Sequence, residues 1–322
     1  MKLEIAILGL GSIGMRHATN IMALGHKVRG FDPAQSRQAI LADAGGYCCN
    51  SLRESLEGAS AAVIATPSGQ HLSDLAAVVH SDCHAFIEKP LAHVEDGIEA
   101  LLLAAEKKNL VVFAGLNQRF NPTVLKARDL IRDGELGTLL WSRLISSSYL
   151  PDWRPHQDYR TGYAADLETG GVIFDIIHEF DIANFLFGKA TTVAAVSRNS
   201  GTLEISSEDC ADIILRHDTG LNTNIHLDYV TRPRRRYAEV AGTRGSLNIN
   251  LAQRSIELLD VDGNVKLEEF WHTTVDEDYR DEIRQFLNCI VGGGSPGCDG
   301  YEALEVLRQV FAARKLCGLP QA

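Results

Sequence analysis

The stretch Ile5-Ala6-Ile7-Leu8-Gly9-Leu10-Gly11-Ser12-Ile13-Gly14-Met15-Arg16-His17 is an apolar run that breaks into closely spaced glycines and then resumes with helical periodicity. It reads as strand, tight turn, helix. Gly9, Gly11 and Gly14 fit the pattern G-x-G-x-x-G: the first glycine allows the turn, the second lets a pyrophosphate approach the backbone, and the third lets helix and strand pack closely. Ser12 and Ile13 open the helix, where free N–H groups and the helix dipole favour negative oxygens.

Three glycines after an apolar run also occur in ordinary turns, so context decides. After a helix over 13–24, ended by Gly25, comes a second short strand, Lys27-Val28-Arg29-Gly30-Phe31. It is closed by Asp32, at the distance of the acid that binds an adenosine ribose. A plain turn residue before Pro33 is the other reading. A carboxylate there repels a 2′-phosphate and favours NAD over NADP, while Ser36 and Arg37 just downstream keep NADP in play.

At 322 residues the chain suits two domains rather than one core. Its 45% hydrophobic and 23% charged residues are ordinary for a soluble globular protein and leave no disordered or collagen-like class. The net charge of −11 argues against nucleic acid as a partner, because phosphate backbones are bound by broad basic surfaces. Cys48, Cys49, Cys83, Cys210, Cys289, Cys298 and Cys317 are scattered without metal spacing, which reads as reduced thiols in a cytosol and no metal site. No apolar run approaches the ~20 residues of a membrane span. A signal peptide would have to destroy the glycine turn. The expectation is a soluble, cytoplasmic protein with no membrane or nucleic-acid partner.

Short apolar strands over 4–8, 28–31, near 47, 61–65, 85–88 and 110–114 alternate with helices, including 72–79 and 94–108. That pattern predicts an α/β doubly wound parallel sheet over 1–121. Ligands bind beyond the carboxyl ends of such strands. This singles out Thr66-Pro67-Ser68, Glu88-Lys89-Pro90 and Asn117-Gln118-Arg119-Phe120-Asn121-Pro122, and makes Thr66, Pro67, His71, Glu88, Lys89 and Asn117 candidates for the cofactor edge. From Thr138 the grammar changes. Strands over 139–146, 192–196, 211–216, 222–229, 237–241, 246–249 and 255–259, with helices over 122–132, 171–187, 277–291 and 301–317, predict an α+β domain over 122–322 on an open, mainly antiparallel sheet.

Lys89, between Glu88 and Pro90 at a strand end, can place its ammonium beside a substrate oxygen. A solvated lysine is the alternative; Pro90, whose bond can be cis, favours a held one. Asp175 and His178, three apart in one apolar helix, share a face. A buried histidine can take a hydroxyl proton, with Asp175 orienting it; a structural Asp–His pair weighs equally. Glu179 and Asp181 read as solvated or interface charges. The run Arg232-Pro233-Arg234-Arg235-Arg236 either protects a sheet edge or forks onto a substrate carboxylate or phosphate. Tyr149, Trp153, Arg154, His156, Tyr159, Arg160 and Tyr163 read either as a sugar-binding loop or as packing aromatics.

With the glycine fingerprint, Glu88-Lys89-Pro90, Arg119-Phe120-Asn121-Pro122, and Gly170-Gly171 leading into Asp175 and His178, the chain resembles the glucose-fructose oxidoreductase / inositol dehydrogenase (Gfo/Idh/MocA) family over essentially its whole length. The resemblance implies a Rossmann domain and a substrate domain whose open sheet is used for homo-oligomer contacts. It implies NAD(P)-dependent oxidation or reduction of a sugar-like alcohol, with Lys89 and His178 catalytic and Arg119, Trp153, Arg154, Tyr159, Tyr163, Asp175, His178, Arg234 and Arg235 around the substrate. In much of the family the Asp and His are four apart; here they are three apart, which touches Asp175 more than His178. The run from Trp153 to Tyr163 with His178-Glu179-Phe180-Asp181 is similar to a branch tied to acidic and nucleotide-linked sugars. The rival reading is a non-catalytic NAD(P)-binding sensor on the same fold, against which stands the retention of both Lys89 and His178.

Overall fold

The computed structural model describes residues 2–320. They pack as two compact units: residues up to 117 with 275–305, and 118–274 with the residues from 306 on.

In the first unit β1 (Glu4–Leu8), β2 (Lys27–Phe31), β3 (Tyr47–Cys48), β4 (Ala61–Ile64), β5 (His84–Glu88) and β6 (Val112–Gly115) form a parallel sheet in the order β3-β2-β1-β4-β5-β6. Helices α1 (Ser12–Ala23), α2 (Gln35–Asp43), α3 (Leu52–Leu56), α4 (His71–His80) and α5 (Ile98–Lys107) fill the connections. Ile5, Ala6, Ile7 and Leu8 have no exposed surface, as a central strand covered on both faces requires. The strand order reverses between β1 and β4, the point at which such sheets open a ligand crevice.

The second unit starts with α6 (Pro122–Arg132), whose N-cap Asn121 accepts from the Thr123 N–H while Pro122 takes the first helical position. Then come β7 (Leu139–Ser147), α7 (Val172–Asp175), α8 (His178–Phe187), β8 (Ala190–Arg198), β9 (Cys210–His217), β10 (Asn222–Asp228), β11 (Arg235–Gly242), β12 (Gly245–Asn250), β13 (Ser255–Leu259) and β14 (Val265–Phe270). The eight strands run β14-β13-β12-β11-β7-β10-β9-β8, antiparallel except for the β7–β10 pair. β14 escapes the sequence reading because it is a polar edge strand in which no residue is buried.

Two expectations need correction. The single helix over 171–187 is broken at Ile176, whose ψ of 44° leaves the helical range, so Asp175 ends α7 and His178 opens α8. The boundary at 121/122 also differs from the observed packing, because α9 (Val275–Ile290) and the start of α10 (Gly300–Leu316) return to the first unit. Phe286 of α9 lies edge-on to Phe86 and Phe113, with ring centroids 5.6 and 5.8 Å away, and Tyr279 sits under the Arg16 guanidinium of α1. No helix among the described residues is long and apolar enough to cross a membrane.

Glu179 and Asp181 are also corrected: both are buried, and each is matched by an arginine distant in sequence. Arg119 grips Asp181 through Nε and Nη2 at 2.9 and 2.6 Å from Oδ1, and Arg236 Nε lies 2.8 Å from Glu179 Oε1. On the opposite, outward face of the sheet, His226 stands between Asp212 (2.7 Å) and Asp228 (3.2 Å). The Asp228 hydrogen bond, opposed by partial burial and helped by Asp212, raises its pKa to about 9.

Removing one member of a buried ion pair strands the other, so Arg119→Ala is expected to cost about 3–5 kcal/mol in urea unfolding; a loss under about 1 kcal/mol would return Arg119 to the substrate site. The folded pKa of His226 lies above its unfolded value, so its contribution is complete below about pH 6.5 and fades as pH rises through about 9. For this partly exposed group His226→Gln should lower Tm by roughly 2 °C at pH 6 and leave it unchanged near pH 10; an equal drop at both pH values would remove the charge from the explanation.

Candidate active site

The carboxyl edge of the parallel sheet carries the cofactor candidates. Gly9 has φ +86°, and a Cβ there would lie 2.7 Å from the Ala65 oxygen; a Cβ on Gly14 would lie 1.9 Å from the Gly9 oxygen. The two residues are glycine because strand turn, helix and the β4 loop meet without room for a side chain. A Cβ on Gly11 would meet only Arg37 Nη1, at 3.9 Å. That open ground, at the N-terminus of α1 where Ser12 and Ile13 begin the helix, fits a pyrophosphate.

Asp32 follows β2 and is buried. Its Oδ2 accepts from the Leu10 N–H at 2.9 Å and from Arg37 Nη1 at 3.2 Å, and its Oδ1 accepts from the Ala34 N–H at 2.9 Å. Burial works to raise its pKa, but the two backbone donors and Arg37 outweigh it and hold the carboxyl below the usual range. A carboxylate offers about four lone-pair sites, so these bonds leave capacity for a ribose hydroxyl.

Around β4 and β5 the placement is mixed. Lys89 is half-buried after β5, and the Lys89–Pro90 bond is cis. Glu88 accepts from the buried His17 ring at 2.6 Å and from the Lys89 N–H at 3.2 Å. Pro67 is exposed, and Asn117 is buried just after β6. His71 is buried, with Nδ1 2.8 Å from the Pro90 oxygen and Nε2 3.0 Å from the Thr66 oxygen. The ring thus clamps the loops after β4 and β5 together. The Thr66 hydroxyl donates to Asp74 at 2.6 Å.

In the second unit, Trp153, Arg154, Tyr159, Tyr163 and Asp175 line one cleft of about 150 Å³ with Leu150 and Ala164. Asp175 is buried, and its carboxylate accepts from the hydroxyls of Tyr163 (2.5 Å) and Tyr229 (3.1 Å). Full burial, then the nearby Asp175 charge, pushes the Tyr229 phenol well above its ordinary pKa. Trp153 packs edge-on against Tyr229 and donates its indole N–H to Ser148 at 2.8 Å. His178 is half-buried at the first position of α8. Arg160, by contrast, is spent on Asp158 and Glu204.

The remaining arginines separate. Arg119 belongs to the buried pair described above, and Arg236 to Glu179. Arg234 and Arg235 are exposed before and at the start of β11 and do not line the cleft. Arg232 lies over the Tyr149 ring at 3.3 Å. Sequence reasoning missed His17, although it stands in the glycine stretch itself, and Tyr229, whose signal was a tyrosine just past an apolar strand. Among the described residues no group of three or more His, Cys, Asp or Glu is arranged to hold a metal ion.

Comparison with known proteins bears on both units. Residues 3–116 match the model of an oxidoreductase family with an NAD-binding Rossmann fold, and 124–248 match the GFO/IDH/MocA C-terminal domain. The chain is 27% identical over 335 residues to the inositol 2-dehydrogenase of Rhizobium meliloti, covering 97% of this chain and 96% of that protein. It is 27% identical over 333 residues to the uncharacterized oxidoreductase YrbE of Bacillus subtilis, covering 98% and 94%. The fold is similar to that of the WlbA dehydrogenase from Bordetella pertussis, solved with NADH and UDP-GlcNAcA, at a TM-score of 0.83, 20% identity and coverage of 98% and 96%. The glycine cradle and Asp32, together with these matches across both units, place the chain in the GFO/IDH/MocA family of oxidoreductases with an NAD-binding Rossmann domain.

Proposed function

We propose that the protein is an NAD-dependent dehydrogenase or reductase acting on a secondary alcohol or ketone of a sugar-like substrate. The observation that carries this reading is the shared edge of the parallel sheet: the glycine cradle, the ionised Asp32 and Lys89 all follow the carboxyl ends of its strands. Bound NAD⁺ supplies the hydride acceptor. The Lys89 ammonium donates to the substrate oxygen and stabilises the charge that develops on it. His178 takes the hydroxyl proton in oxidation and returns it in reduction. Glu88, tied to His17 and to the Lys89 N–H, positions the lysine backbone.

The cleft of Trp153, Arg154, Tyr159 and Tyr163 supports a sugar as substrate, since flat aromatic faces beside hydrogen-bonding groups suit a polyol ring. Arg154, exposed at that cleft, favours an acidic or nucleotide-linked sugar, and WlbA was solved with a ligand of that class. A homo-oligomer through the outward face of the eight-stranded sheet completes the reading. Trp141, Val196 and Ile214 leave apolar surface exposed there.

Purified protein is expected to generate NADH with a member of a panel of inositols, aldoses and UDP-sugars. Lys89→Ala and His178→Ala should each lower kcat by about 10²–10⁴-fold and leave the NAD dissociation constant nearly unchanged; full turnover in both variants would refute the roles. Asp32→Ala should weaken NAD binding about 10- to 100-fold in a fluorescence titration and narrow its margin over NADP. An unaltered NAD/NADP ratio would take Asp32 out of the ribose site.

A further inference from the structure

We propose that Tyr163 is a specificity-determining residue that accepts a hydrogen bond from a second substrate hydroxyl, one not undergoing oxidation, and that Asp175 and Tyr229 position it for that purpose. The proposal rests on the dehydrogenase reading above and names the feature its substrate must carry.

A phenol has one proton. In Tyr163 that proton points at Asp175 Oδ1, 2.5 Å away, and an ionised carboxylate can only accept. The same carboxylate is held on its other oxygen by Tyr229, which is fully buried and braced by Trp153. Two phenol donors replace water around one buried carboxylate, as burial of a polar group demands. Tyr229 retains its proton, since burial drives its pKa far up. The polarity of the chain is therefore set from the inside outward: Tyr229 donates to Asp175, and Tyr163 donates to Asp175.

The ring of Tyr163 lies in the wall of the cleft and is 47% exposed. With its proton spent inward, its oxygen meets a ligand only through its remaining lone pairs. A ligand group there must be a donor, such as a hydroxyl. A keto oxygen, an ether or a methylene at the same place cannot donate to it. His178 deals with the hydroxyl whose carbon is oxidised; Tyr163 reads another. The substrate class that satisfies both is a polyol or sugar with at least one free hydroxyl besides the reacting one.

The test uses the full-length protein with NAD and the panel sugar of highest wild-type turnover, together with its monodeoxy and mono-O-methyl derivatives. At one ring position the deoxy derivative should lose about 10- to 100-fold in wild-type kcat/KM. Tyr163→Phe should erase that discrimination to within about threefold while keeping wild-type NAD affinity, which shows that the variant is folded. Asp175→Asn, whose amide can donate, frees the Tyr163 proton to face the cleft and should raise the relative kcat/KM of the O-methyl derivative at that position. A purely structural role would alter all derivatives alike. Equal discrimination at every position in wild type and Tyr163→Phe overturns the proposal and leaves the dehydrogenase reading standing; a wild type silent on the whole panel overturns both.

Discussion

A carboxylate taken out of water costs several kcal/mol unless donors replace its hydration, and this chain buries carboxylates in both units. Asp32 is met by backbone N–H groups and Arg37, Asp175 by two phenols, Glu179 by Arg236, Asp181 by Arg119, and Glu208 by the Ile173 N–H. Most of these matches join segments distant in sequence. The same bonds that make these charges tolerable therefore also fix where loops leave the sheets, and the candidate functional groups sit on those loops.

The two units solve the problem differently. At the edge of the parallel sheet the backbone itself supplies donors, because strand ends and helix N-termini leave N–H groups unspent. Asp32 can so be ionised and still offer capacity to a ligand. In the second unit the chain between β7 and α7 has little regular structure beyond short helical turns, and side chains join the backbone as donors. Tyr163, Tyr229, Arg119 and Arg236 fill that role, while the fully buried Arg314 donates to the carbonyls of Gly170 (2.8 Å), Leu167 (3.0 Å) and Glu168 (3.2 Å).

The legible part of the fold is the part written in short-range pattern. The glycines, the period-2 strands and Asp32 at the end of β2 depend on neighbours within a few positions, and so could be read from the chain directly. The partners of the buried charges could not. Arg119 and Asp181 are 62 positions apart, Arg236 and Glu179 57; nothing local distinguishes an arginine bound for a buried pair from one bound for a substrate. The return of α9 to the first unit was hidden for a similar reason, since its amphipathic pattern states that one face is buried but not against which sheet. The cleft was more legible, because Trp153, Arg154, Tyr159 and Tyr163 lie close together in one segment.

The break after Asp175 and the short spacing to His178 are one fact seen twice. Gly171 has φ +90°, and a Cβ there would lie 2.2 Å from the Glu208 carboxylate, which accepts from the Ile173 N–H and whose residue's carbonyl accepts from the Val172 N–H. Arg314 holds the Gly170 carbonyl from the other side. The start of α7 is thus pinned before its first turn is complete. The apolar residues Val172, Ile173, Phe174, Ile176 and Ile177 are all buried, so they satisfy a continuous helix and a broken one equally, and periodicity is blind to the difference. With the helix interrupted at Ile176, the three-residue step no longer sets Asp175 and His178 on one helical face. The carboxylate accepts from Tyr163 and Tyr229, and the histidine begins a new helix.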